Sequence, residues 1–196
     1  QNLTELSIQS FNVKTNPINK FSPSIFRLTN LRKLTINDVK SLSLPTTSSL
    51  NMSNLKNLKE LSFSSDKGMT LPEGIFKITN LERLSLYCCG INSIPKEIGN
   101  LKNLKYLDLT GNNLKKLPKK IGNLKNLKEL TLTYNKITTL PEGIFKITNL
   151  ERLSLDNCGI SSISNYEIEN LKNLKYLSLM RNNLEELPKT IGNLKI

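Results

Sequence analysis

Leucine recurs along this chain in a fixed triplet. Units begin at Leu3, Leu31, Leu58, Leu81, Leu104, Leu127, Leu150 and Leu174, spaced by 28, 27, 23, 23, 23, 23 and 24 residues. Apolar residues follow three and five positions on, as in Leu107 and Leu109, Leu130 and Leu132, Leu153 and Leu155, Leu177 and Leu179. The L-x-L step has a period of two, which predicts a short strand with one face inward. A Leu-Pro or Ile-Pro pair comes next in most units, at Leu71-Pro72, Ile94-Pro95, Leu117-Pro118, Leu140-Pro141 and Leu187-Pro188. Proline stops the strand and turns the path. Ile98, Leu101 and Leu104 then recur every third residue, which predicts a short helical or 3₁₀ turn on the return. About 23 residues thus close one coil, and successive strands stack in parallel ~4.8 Å apart over a shared leucine interior.

The unit from Leu104 through Leu107, Leu109, Asn112 and Leu114 fills the pattern L-x-x-L-x-L-x-x-N/C-x-L. It resembles the leucine-rich repeat. The L-P-x-x-I-x-x-L continuation resembles bacterial leucine-rich-repeat proteins. The wording "IGNLKNLKEL" is similar to large families in pathogenic spirochaetes. The resemblance implies an α/β fold, a right-handed horseshoe solenoid with a parallel sheet on its concave face and short helical or 3₁₀ turns on its convex face. It covers residues 1–196 as a single domain of about eight repeats. It also implies a non-enzymatic module of a secreted or surface-displayed bacterial protein, binding host or cell-surface proteins. An intracellular bacterial scaffold or regulator is the alternative. The family binds many things, so the partner has to be argued from the site.

The N/C position of each unit carries its own signal. Asn112, Asn135 and Asn182 occupy it, where an amide can bond the backbone of adjacent coils. Cys89 and Cys158 take the same position and are expected to be core residues. Asp66 falls there in the third unit, and Phe11 and Val39 in the first two, which are lengthened around residues 16–24 and 46–53.

The units are not independent copies. Residues 71–94 read LPEGIFKITNLERLSLYCCGINSI, and residues 140–163 read LPEGIFKITNLERLSLDNCGISSI. The offset of 69 is three coils, so a three-coil block is duplicated. This arranges the outward strand positions into columns. The first reads Glu5, Lys33, Glu60, Arg83, Tyr106, Glu129, Arg152, Tyr176. The second is almost all small hydroxyls, interrupted by Asp108. The third contains Tyr87, Asp156 and Met180. Adjacent Glu60 and Arg83, and adjacent Glu129 and Arg152, are expected to attract across the strands. Tyrosine and arginine are frequent anchors of protein interfaces. The candidate partner-binding residues are therefore Glu60, Arg83, Tyr87, Tyr106, Asp108, Glu129, Arg152, Asp156, Tyr176 and Met180.

Charge adds a second candidate. With 28 basic and 16 acidic residues the chain carries +12, which suits a polyanion or an anionic surface. Lys115, Lys116, Lys119 and Lys120 form the densest basic patch in the sequence. Basic residues do not run in register with stacking aromatics, which disfavours nucleic acid as a partner. There is no histidine, which removes the commonest general base and metal ligand. Cys88, Cys89 and Cys158 lack zinc-site spacing and do not form a disulfide framework. No catalytic residue, metal or cofactor is expected, and no apolar run is long enough to span a bilayer. Both ends begin and stop within a repeat, which suggests weak self-association through uncapped coils.

Overall fold

The computed structural model describes residues 3–9, 22–37, 52–65, 69, 71, 74–164 and 167–194. Among them lie eight strands: β1 (Glu5–Gln9), β2 (Lys33–Asn37), β3 (Glu60–Ser64), β4 (Arg83–Tyr87), β5 (Tyr106–Asp108), β6 (Glu129–Thr131), β7 (Arg152–Ser154) and β8 (Tyr176–Ser178). They form one parallel sheet in chain order. Parallel order follows from the coil, because every strand is re-entered from the same side after one full turn. The register preserves the columns of the sequence: Glu60 faces Arg83, Arg83 faces Tyr106, Tyr106 faces Glu129, Glu129 faces Arg152 and Arg152 faces Tyr176.

Each strand is answered on the convex side by a 3₁₀ turn: Pro23–Arg27, Met52–Asn54, Ile75–Lys77, Lys96–Asn100, Lys119–Asn123, Ile144–Lys146, Ile168–Asn170 and Lys189–Asn193. The three-residue apolar spacing selects the tighter helix, and the residue after each turn closes it, as where the Leu101 N–H donates to the Ile98 carbonyl at 3.1 Å. Between sheet and turns lies one continuous apolar cluster, from Ile25 to Leu174. Leu104, Leu107 and Leu109 are at most 1% exposed, while Tyr106 and Asp108 between them point outward. Each such leucine contributes about 1.5–3 kcal/mol, set against the ordering entropy of its own coil.

Asparagine clamps the coils at two places. In the N/C position, Asn135 Nδ2 donates to the carbonyls of Leu109 (2.9 Å) and Leu132 (2.7 Å), and its Oδ1 accepts from the Leu114 N–H at 3.0 Å. Asn112 and Asn182 repeat this pattern. Cys89 and Cys158 are buried there, and their thiols donate to Phe63 (3.4 Å) and Leu132 (3.1 Å) carbonyls of the preceding coil. Phe11, Val39 and Asp66 lie outside the described residues.

A second asparagine series sits where the chain enters each strand. The amides of Asn57, Asn80, Asn103, Asn126, Asn149 and Asn173 each donate to a carbonyl one coil back, at 2.7–3.0 Å. The repeated T-N-L and K-N-L wording marks these positions, which are absent from the expectations above.

Past each of the strands β4 to β8 a residue turns left-handed, and Gly90 and Gly159 do so again two residues on. Cys88, Gly111, Tyr134, Asn157 and Arg181 have φ between 52° and 71°. Their register continues the stacking, since the N–H of Cys88, Gly111, Tyr134 and Asn157 each reaches a carbonyl of the next coil at 2.8–2.9 Å.

Candidate protein-binding face

The first outward column is a chain of paired side chains. Lys33 Nζ lies 3.6 Å from Glu60. The Arg83 guanidinium sits over the Tyr106 ring, 3.8 Å from its centroid. Arg152 lies over Tyr176 at 4.2 Å and also brings Nε within 3.8 Å of Glu129. The expected Glu129–Arg152 attraction is therefore present. The expected Glu60–Arg83 attraction is not: Glu60 turns to Lys33, and Arg83 turns away to the tyrosine. Lysine on the preceding strand competes for the carboxylate, and an aromatic face on the following strand competes for the guanidinium. In the second block Tyr106 takes the place of that lysine, so Glu129 is left to Arg152.

A groove of about 420 Å³ crosses β2 to β6 on this face. Its floor is the column of Thr35, Ser62, Ser85, Asp108 and Thr131, small hydroxyls interrupted by one carboxylate. Of the candidate residues, Glu60, Arg83, Tyr87, Tyr106, Asp108 and Glu129 line it. Arg152, Asp156, Tyr176 and Met180 extend the face along β7 and β8. Apolar surface is offered by Tyr87 (48% exposed), Tyr176 (41%) and Met180 (67%). Tyr134, at 52%, adds to it. It escapes the strand alternation because it stands on a left-handed residue past β6, so a period-two reading does not reach it.

Each of the two aspartates is tied to a serine of an adjacent coil and to a backbone N–H. Asp108 accepts from Ser85 Oγ (3.2 Å) and from the Thr110 N–H (2.9 Å). Asp156 accepts from Ser178 Oγ and from the Met180 N–H at 2.8 Å. These bonds hold both carboxylates in place, Asp108 within the groove and Asp156 beyond it. The Tyr87 phenol is held above its ordinary range, first by a hydrogen bond to the Cys88 side chain, and further by Asp108 and Tyr134 nearby. The buried thiols of Cys89 and Cys158 are pushed up to about 12 and about 11, mainly by burial, so they stay protonated and inert as nucleophiles.

The basic residues cluster in two places, both outside the groove floor. Lys115, Lys116, Lys119 and Lys120 are exposed after β5 and into the turn Lys119–Asn123, away from the groove. A second basic strip runs along the rim where chains enter the strands. There Glu82 is clasped by Lys59 (3.0 Å) and Lys105 (2.8 Å), and Glu151 by Lys128 (3.2 Å) and Lys175 (2.9 Å). Hydrogen bonds from Lys105 and then Lys59 lower the Glu82 pKa to about 2, and those from Lys175 and Lys128 lower that of Glu151. The rim encloses a hollow of about 450 Å³ between Arg32 and Asn126. Its sequence signal is the residue just before the first column, which reads lysine, glutamate, lysine twice over, at Lys59, Glu82, Lys105 and Lys128, Glu151, Lys175.

Parallel strands in one open sheet, each returned by a 3₁₀ turn over buried leucines, define a leucine-rich-repeat solenoid. Comparison with known proteins agrees. A family model described as a leucine-rich repeat region matches residues 73–165, and a model of two leucine-rich-repeat copies matches residues 148–189. The chain is similar to a leucine-rich-repeat protein of Leptospira interrogans, with 27% identity, a TM-score of 0.69 and coverage of 98% of this chain and 64% of that one. It therefore spans just under two thirds of that relative. It is also similar to the leucine-rich-repeat domain of the type III effector XopL from Xanthomonas, at 25% identity, TM-score 0.75, and 98% and 73% coverage. The fold is shared with the ectodomain of the Arabidopsis thaliana receptor kinase GASSHO1/SCHENGEN3, solved in complex with Casparian strip integrity factor 2, at 24% identity, TM-score 0.69, and 97% and 26% coverage. A search of curated proteins gives no significant match. Domains of this kind are typically protein-interaction modules. Among the described residues no helix is long and apolar enough to cross a membrane.

Proposed function

We propose that this chain is a non-enzymatic bacterial interaction module that captures a protein partner on its concave sheet. The observation that carries the reading is the groove over β2 to β6, floored by small hydroxyls and bordered by the Arg83–Tyr106 stack and exposed Tyr87. Small floor residues let a partner approach the sheet closely. Rigid aromatic and guanidinium groups give contact area at little entropic cost. The fourfold replacement of Arg83, Tyr106, Arg152 and Tyr176 by alanine should abolish partner capture while the circular dichroism spectrum stays unchanged. Undiminished capture would remove the concave face from the argument. Similarity to Leptospira and Xanthomonas proteins supports a bacterial source. Secretion or surface display is part of the proposal, with a cytoplasmic scaffold as its competitor. Detection of the protein in culture supernatant or by surface proteolysis of intact cells separates them.

The lysine rim favours a second reading, polyanion binding outside the groove. Arg32, Lys59, Lys105, Lys128 and Lys175 outnumber Glu82 and Glu151 along one edge. Binding there should weaken steeply as salt rises. Affinity that is flat between 50 and about 500 mM salt excludes it.

A further inference from the structure

The two copies of the three-coil block carry their arginines in nearly identical segments, 71–94 and 140–163, but differ in how those arginines are neutralised. In the second copy, Arg152 has both an aromatic face beneath it and the Glu129 carboxylate beside it. In the first, Arg83 has the aromatic face of Tyr106 but no carboxylate, because Glu60 is held by Lys33. The cause is the residue one coil before each glutamate: lysine at position 33, tyrosine at position 106. Asp108, the acid of the groove on the next strand, is engaged by Ser85 and the Thr110 N–H. Among the described residues, no ion pair reaches Arg83.

Resting on the concave-face reading above, we propose that Arg83 is the anchor for a carboxylate carried by an extended peptide segment of the partner, lying in the groove across β2 to β6. The stack on Tyr106 fixes the guanidinium plane, which pre-organises its fork for a planar two-oxygen acceptor. The other first-column charges that line the groove, Lys33, Glu60 and Glu129, are already paired, so Arg83 is the position there where an incoming charge gains most. The floor hydroxyls suit an extended backbone, which carries donors and acceptors in alternation. Arg152, compensated by Glu129, contributes its stack and no anion site.

The test uses a random twelve-residue phage-displayed peptide library panned on the whole chain. Wild type should enrich Asp or Glu at one position of the selected peptides. Arg83→Gln should erase that enrichment, and Arg152→Gln should keep it. For one selected peptide measured by calorimetry, changing its acidic residue to the amide should weaken binding roughly tenfold. Arg83→Gln should weaken it equally, and the two changes together should cost no more than either alone. Peptides that depend on the concave face but show no acidic preference, or whose acidic preference survives Arg83→Gln, overturn the anchor while leaving the concave-face reading intact. Peptides that bind the fourfold alanine variant as well as wild type overturn both.

Discussion

A methyl group added to Gly122 would lie 2.6 Å from the carbonyl oxygen of Gly143, in the 3₁₀ layer of the next coil. Backbone stands against backbone there, and neither side has a flexible end that could give way. Gly122→Ala must therefore push two coils apart on the convex side. The expected loss is ~1–3 kcal/mol in a urea melt, typical of overpacking. Gly192 occupies the same place in the coil beginning at Leu174 and has nothing within 4 Å of an added Cβ. Gly192→Ala should be neutral, or raise stability by about 0.4–1 kcal/mol through the unfolded chain. Equal effects at the two positions would show that propensity, and not coil contact, sets the glycine.

The N/C position predicts a graded series. Asn135→Ala leaves the Leu114 N–H and two carbonyls without the bonds they now have, at roughly 1–3 kcal/mol for each buried group left unpaired. Asn135→Cys should cost less, because a thiol can still donate backward, as Cys158 does to Leu132. Thermal melts of the two variants test this. Cysteine destabilising as much as alanine would mean that the thiol bonds at Cys89 and Cys158 contribute nothing.

The fold was legible because its information is local and repeated. Leu104, Leu107 and Leu109 define an inside face by spacing alone, and spacing survives when individual residues vary. The columns followed, since period-two alternation leaves no freedom once the inside is set. What the spacing could not show is which neighbour a charge chooses. Glu60 has a cation on each side, and only the three-dimensional arrangement, in which Tyr106 draws Arg83 away and leaves Lys33, assigns it. Tyr134 was missed for a related reason: its exposure depends on a left-handed backbone (φ 57°) that only Gly111 hints at in the sequence. The strand-entry asparagines were in plain view within the repeated T-N-L and K-N-L, yet a recurring polar residue beside leucines does not announce that its amide bonds the coil behind it.

Acid should reveal the rim network. Lys105 and Lys59 hold the Glu82 pKa at about 2, against an ordinary 4.5. A lowered folded pKa means that its contribution is complete above about pH 5 and is lost as pH falls towards 2. Glu82→Gln should therefore flatten the fall in Tm across that window and leave its neutral-pH slope unchanged. Because the carboxylate is exposed, the effect should also shrink in high salt. A wild-type Tm as insensitive to acid as that of the variant would mean the clasp does not persist in solution.

Gly111 and Cys88 should be energetically coupled. A Cβ at Gly111 would run into the Cys88 Sγ, and the backbone there has φ +71°. Two penalties are possible, and they can be separated. The left-handed conformation costs a non-glycine residue ~1–2 kcal/mol. Cys88, Tyr134, Asn157 and Arg181 bear it at equivalent positions, so it does not forbid a side chain. The collision with sulfur comes on top of it. Gly111→Ala should thus cost more in wild type than in a Cys88→Ala background, where only the conformational part remains. A double-mutant cycle by urea denaturation gives the difference directly. Strict additivity would place the whole cost in the backbone and show that the Cys88 side chain swings aside freely.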